Sequence, residues 1–149
     1  MKKPGVIFLI FLVMFLAACG PSQRPALVHN RSLWESQAIQ HYRFDLRIGC
    51  NCPWYAMMPL TVEVQNGAVV SMVAKNGADI TPYLDTFRSH ATIESLFDLV
   101  DSAISKRVYS LVVQYDPKYG FPASIVIDPS RMIMDDETGY YVTNLEVLP

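Results

Sequence analysis

The runs Leu60-Thr61-Val62-Glu63-Val64 and Val69-Val70-Ser71-Met72-Val73 flank Gln65-Asn66-Gly67-Ala68. Asn-Gly between two strand-like runs is the strongest short-range signal of a β-hairpin. A hairpin pairs its strands antiparallel, which puts an antiparallel sheet at the centre of the fold. Upstream, Tyr42-Arg43-Phe44-Asp45-Leu46-Arg47-Ile48 alternates apolar and polar residues, the period of a half-buried strand. Its core face takes Tyr42, Phe44, Leu46 and Ile48.

Helical signals bracket these strands. Ser32-Leu33-Trp34-Glu35 has the spacing of a capping box, so a first helix is expected to start near Ser32, with Trp34 and Ala38 beside Leu33 on its apolar side. After an irregular stretch containing Thr81-Pro82, the residues Ile93, Leu96, Phe97, Val100, Ala103 and Ile104 recur at helical spacing, with Thr92 as natural cap. Val108 to Tyr115 and Ala123 to Ile127 are β-rich. They are joined by Asp116-Pro117-Lys118-Tyr119-Gly120-Phe121-Pro122, where Asp116 shapes a turn. A last strand, Tyr140 to Val147, follows the acidic turn Asp135-Asp136-Glu137-Thr138-Gly139. The order is α-β-β-β-α-β-β-β. The expected class is α+β: an antiparallel sheet of about six strands with two main helices on one face.

The amino terminus reads differently. Lys2 and Lys3 precede an apolar run from Val6 to Ala18, which fits the basic and apolar regions of a secretory signal and falls short of the roughly 20 residues a spanning helix needs. Leu16-Ala17-Ala18-Cys19 resembles the bacterial lipobox. That resemblance implies cleavage before Cys19 and a lipid on its thiol, with stable membrane attachment once two or three acyl chains are present. Gly20 follows Cys19 in place of Asp, which by resemblance to lipoproteins of double-membrane bacteria favours the outer membrane. In a single-membrane cell the anchor would hold the outer face of the cytoplasmic membrane. Residues 19–30 are rich in Pro, Ser and Gln without apolar periodicity and read as a flexible tether with a reach of up to ~30 Å. The expected organisation is therefore a signal peptide over 1–18, lipidated cysteine and tether over 19–30, and a single α+β domain over 31–149.

Charge removes one class of partner. The formal net charge is −2 over 149 residues, and loss of Lys2 and Lys3 would make it more negative. Outside that leader the cations lie scattered, at Arg43, Arg47, Lys75, Arg88, Lys106, Arg107, Lys118 and Arg131 among others. Nucleic-acid binding needs a basic stripe that is not visible here.

Taken together, several elements resemble a family of short bacterial lipoproteins known as domain of unknown function 6174. They are Trp34, then Tyr42 and Phe44 leading to Cys50-Asn51-Cys52, then Val62-Glu63-Val64 with Gly67 and Val69. Ile93 with Leu96-Phe97 follows, and then Tyr115-Asp116 with Gly120-Phe121-Pro122, Ile125 and Asp128. The resemblance spans nearly the whole exported part of the chain and implies location and fold, with no activity to transfer.

With Cys19 taken by lipid, Cys50 and Cys52 are the remaining thiols, and an oxidising compartment favours a bond between them. Extended backbone would hold their Cα atoms near the upper end of the disulfide range, so bending is expected. The pair reads first as a staple ending the Tyr42 strand. Dithiol redox chemistry and metal binding are the alternatives. The former lacks a Cys-x-x-Cys helix start, and the latter would need two further ligands that His29, His41 and His90 do not supply at zinc spacing. No Gly-x-Ser-x-Gly elbow occurs, and the three scattered histidines mark no hydrolytic triad. Asp128, Asp135, Asp136 and Glu137 offer oxygen ligands for a cation, but their spacing is not that of an EF-hand, and a solvated acidic turn is the plainer account. The segment Pro53-Trp54-Tyr55-Ala56-Met57-Met58-Pro59 is apolar and loop-bounded. Exposed, its Trp54, Tyr55, Met57 and Met58 would form a partner-binding patch. A domain this small has few large residues to leave in solvent, so burial is expected.

The sequence thus describes a membrane-tethered envelope domain without enzymatic activity or cofactor. Its expected attachments are the membrane, through lipid on Cys19, and an envelope protein. The alternative is a redox-active or metal-binding lipoprotein that uses Cys50 and Cys52.

Overall fold

The alternating run centred on Phe44 forms the strand on which the rest of the domain is assembled. The computed structural model describes residues 23–149. Among them lie α1 (Gln23–Ser36), β1 (His41–Gly49), β2 (Leu60–Gln65), β3 (Ala68–Ala74), α2 (Leu84–Arg88), α3 (Ile93–Lys106), β4 (Ser110–Tyr115), β5 (Pro122–Asp128) and β6 (Thr138–Val147). Single 3₁₀ turns occupy Tyr55–Met57 and Thr81–Tyr83. The strands form one six-stranded sheet in the order β3-β2-β1-β6-β5-β4, every neighbouring pair antiparallel. The architecture is α+β, in the order expected.

Register places the core on one face. Tyr42, Phe44 and Leu46 of β1 lie opposite Val64, Val62 and Leu60 of β2, and all six are buried, together with Ile48, Ile125 and Val142. Helix α3 lays Ile93, Leu96, Phe97, Val100 and Ala103 on this face. Its start is held by a capping box: Thr92 Oγ1 accepts from Ser95 N (3.0 Å), and Thr92 N donates to Ser95 Oγ (3.1 Å). Two of the four orphan amides of the first turn are thereby satisfied. The Tyr42 hydroxyl accepts from Ile93 N at 3.0 Å and donates to Glu94 Oε2 at 3.0 Å, tying α3 to the central strand. Burial, reinforced by Glu94, raises the Tyr42 pKa well above that of free tyrosine.

The first helix departs from the expectation. It begins at Gln23, not near Ser32, and absorbs most of the stretch read as tether. Ser32 is an exposed residue inside α1 with no capping role, and Ala38 lies beyond the helix with a positive φ of 50°. The physical reason is Leu27. It stands two helical turns before Trp34 and is buried with it, so the helix gains a second anchor on the same face. Pro25, which suggested coil, is compatible with the first turn of a helix because the amides there have no intrahelical acceptor. Arg24 pairs with Asp101 (2.7 Å), Arg31 pairs with Asp98 (2.8 Å), and Trp34 Nε1 donates to Glu94 (2.9 Å), so α1 runs antiparallel along α3. Residues 1–18, Cys19 and the first part of the expected tether lie outside the described residues. Among those described, no helix is long and apolar enough to cross a membrane.

The β4–β5 turn closes against α1. Asp116 Oδ1 accepts from Lys118 N (2.9 Å) and Tyr119 N (2.7 Å). Gly120 follows with φ +81°, and a Cβ there would lie 2.6 Å from the Asn30 carbonyl oxygen. Only glycine fits so close a backbone approach at that φ.

Candidate functional site

β1 runs out of the sheet at Gly49, which pairs with Gly139 at the start of β6. Two glycines in register leave bare backbone on the open face, away from the helices. The ring of Tyr141 folds over this gap: a Cβ on Gly139 would lie 2.6 Å from the Tyr141 hydroxyl oxygen, and one on Gly49 would lie 3.6 Å from Tyr141 Cε2. Glycine inside a strand marks such a close approach. Beyond Gly49 the chain bends, and Cys50 and Cys52 are joined by a disulfide with Cα atoms 5.3 Å apart. The bend supplies the shortening that extended backbone would not, and the separation falls in the usual range.

The loop that follows splits the apolar segment between core and surface. Trp54 is half-buried, with ring centroids 5.2 Å from Tyr83 and 6.1 Å from Phe87. Its Nε1 is buried and finds no acceptor among the described residues. Met57 packs on the core, and Met58 is buried with its sulfur accepting from Ile48 N at 3.4 Å. Tyr55 turns outward and is 55% exposed. The patch of Trp54, Tyr55, Met57 and Met58 is therefore not a surface as a unit, and Tyr55 is the residue it presents.

Gly49, Cys50, Asn51, Tyr55, Val126, Asp135, Glu137, Gly139 and Tyr141 line one open groove of about 640 Å³. Within it meet features far apart in the chain: the disulfide loop, the exposed tyrosine of the apolar segment and the acidic turn. The four carboxylates do not act together. Asp128 accepts from Ser130 N (3.0 Å) to close a turn. Asp136 turns Oδ1 inward without a partner, and burial, with Asp128 and Glu137 nearby, raises its pKa. Among the described residues no three His, Cys, Asp or Glu side chains are grouped to hold a metal. The histidines also lie apart from the groove lining. His41 bridges Glu63 (2.9 Å) and the Pro149 carbonyl oxygen (2.9 Å), and His90 stacks near Tyr140.

Sequence reasoning missed Tyr141, Gly49 and Gly139 as site residues. The available signal was a glycine at the end of one predicted strand and another just before the last. It also missed Asp45, which is 6% exposed on the open face. Its carboxylate accepts from Lys75 Nζ (2.6 Å), Thr61 Oγ1 (2.8 Å) and Asn144 Nδ2 (2.8 Å), clasping β1, β2 and β6 together with the residue that follows β3.

Fold and groove define a class: an α+β domain whose antiparallel sheet is covered by helices on one face and carries an open, acidic and aromatic groove at one end of the other. The chain belongs to a family of unknown function, DUF6174, whose model matches residues 26–147. Comparison with curated proteins and with solved structures gives no match.

Proposed function

We propose that this chain is a lipid-anchored bacterial envelope protein whose domain binds another envelope component, without catalysis, in the groove between the disulfide loop and the acidic turn. The observation that carries the reading is the convergence of Cys50, Tyr55, Asp135, Glu137 and Tyr141 on one concavity. Its volume lies within the range of ligand sites. Two tyrosines and two carboxylates suit a partner that presents Lys or Arg beside apolar side chains. Support for the anchor comes from Lys2, Lys3, the apolar run to Ala18 and the Leu16–Cys19 motif.

Two experiments test the reading. Metabolic labelling with a fatty-acid analogue should mark the parent and spare Cys19→Ala; equal labelling of the two removes the anchor. A photo-crosslinking residue placed at Tyr55 or Tyr141 in the full chain, in its native membrane, should yield a discrete adduct. The same residue at Val70, on a distant strand, should not. An identical pattern at all three positions removes the groove as the binding site.

Because Cys50 itself lines the groove, a redox role for the disulfide is the second reading. It requires the bond to open under mild reductant in the native envelope, whereas the binding reading requires it to stay closed.

A further inference from the structure

The direction of every strand fixes which loops share an end of the sheet. Gly49 pairs with Gly139, Ile127 with Thr138, and Ser110 with Asp128. The disulfide loop after β1, the start of β4 and the β5–β6 connection over residues 129–137 therefore lie at one end. Helix α3 delivers the chain to this end, because Lys106 precedes β4 by only a few residues. Helix α1 begins there too, since Arg24 reaches Asp101 and Ser105 near the end of α3 while Trp34 meets Glu94 near its start. The point at which the chain enters the domain from Cys19 and the β5–β6 loop thus occupy the same end.

That loop carries three consecutive apolar side chains in solvent. Met132 is 93% exposed, Ile133 61% and Met134 90%, with Tyr109, the residue before β4, also exposed. Other large apolar residues, such as Val28 and Val70, are exposed singly and to no more than 61%, whereas Met132 and Met134 flank Ile133 as three consecutive apolar side chains, two of them almost wholly in solvent. A contiguous apolar tip of this kind marks a surface that something covers. Four residue steps separate Cys19 from Gln23, a span of at most ~14 Å. On the lipoprotein reading, on which this inference rests, so short a link holds the entry end of the domain against the bilayer that carries the lipid.

We propose that the Met132-Ile133-Met134 tip inserts into the bilayer that holds the Cys19 acyl chains and docks the domain in a fixed orientation on it. A flexible unbranched methionine on each side of Ile133 adapts to disordered acyl chains as it does to irregular packing. The acyl chains already hold the chain at the surface, so the tip adds buried apolar area and fixes orientation rather than supplying the anchor. Docked this way, the groove that includes Asp135, next in sequence to Met134, opens close to the membrane surface, within reach of components that do not leave it. A protein partner or a second copy of the chain covering the same tip are the competing occupants.

The test uses the full lipidated chain reconstituted into phosphatidylcholine vesicles with bromine at a shallow acyl position. Tryptophan is introduced singly as Met132→Trp, Met134→Trp or, at the opposite end of the sheet, Val70→Trp, each at an exposed site the fold does not need. Emission added by Met132→Trp and Met134→Trp should fall several-fold on going from unbrominated to brominated lipid, and that of Val70→Trp should not change. Fatty-acid labelling of the same preparations separates the outcomes. Labelled protein with no quenching at 132 and 134, or equal quenching at all three sites, overturns the insertion and leaves the anchor standing. Protein with no lipid on Cys19 overturns the lipoprotein reading and, with it, the ground for insertion.

Discussion

Asp45 sits between two core residues of β1, and its side chain points to the opposite face, where Lys75, Thr61 and Asn144 enclose it. Burial pushes its carboxyl pKa up, but the hydrogen bonds from Lys75, Asn144 and Thr61 outweigh burial, and the pKa lies below the ordinary 3.8. The carboxylate form is thus favoured by folding. Its contribution is complete above the unfolded value and is lost as pH falls through the lower folded one. Asp45→Ala leaves the Thr61 and Asn144 donors without their acceptor while Lys75 returns to water, a loss of about 2 kcal/mol at neutral pH. Urea titration of mutant and parent at pH 7 and again below pH 3 should show that difference shrink in acid. An unchanged gap would mean that packing, not charge, is what the residue provides. At Cys50 and Cys52 the ring is so short that little unfolded-state entropy is removed, and the double change to serine should cost less than the usual ~2–4 kcal/mol. The fold should persist while Trp54 fluorescence shifts, because the bond sets how the loop leaves β1. Intact mass after alkylation should reveal two thiols only upon reduction, and two freely alkylated thiols in protein taken straight from cells would overturn the staple.

At the scale of elements, capping separates the two main helices. Thr92 and Ser95 complete a reciprocal box at α3, so Thr92→Ala should cost about 1 kcal/mol. Ser32 has the same sequence spacing to Glu35 but lies inside α1, so Ser32→Ala should be neutral or stabilise by a few tenths of a kcal/mol through helix propensity. Phe97, fully enclosed between α3 and the sheet, should cost about 3–5 kcal/mol as alanine. Thermal denaturation should show the largest loss for Phe97→Ala, a smaller one for Thr92→Ala and none for Ser32→Ala, and a Ser32 loss matching that of Thr92 would restore the later helix start. The comparison shows what was legible. Strands and α3 announce themselves because alternation or helical spacing repeats several times within each: the apolar core positions of β1 are as expected, and of the apolar face expected for α3 all but the partly buried Ile104 are buried. Helix α2 was not seen, since its five residues complete barely more than one turn and show a single buried side chain, Phe87. The groove was half legible: Cys50, Tyr55, Asp135 and Glu137 stood out by residue type, whereas Tyr141 and its paired glycines acquire meaning only through the β1–β6 register.

For the whole molecule, the decisive question is where the folded domain begins. If residues 19–30 were a tether, as the sequence suggested, cutting the chain before Arg31 would cost no stability. A helix from Gln23 says otherwise, because Leu27 belongs to the core and Arg24 and Arg31 pair with Asp101 and Asp98 on α3. Those ion pairs are largely exposed and add little. Leu27 carries the energy, and Leu27→Ala should cost about 2–5 kcal/mol. A chain begun at Arg31 loses that side chain and also the first turns of α1. The remnant, six residues from Arg31 to Ser36, is far too short to hold helical form without its packing. Trp34 would then lose the support that keeps it against Tyr42 and Phe121, its edge-to-face neighbours at 5.3 and 6.2 Å. Relative to a chain begun at Gly20, the melting temperature should fall by at least roughly 10 °C, as a loss of about 3 kcal/mol implies at this size. Equal melting of the two chains would return residues 23–30 to a tether outside the folded domain. A drop places the start of the folded domain at α1, and on the proposed lipid-anchor reading that leaves only residues 20–22 between Cys19 and the domain.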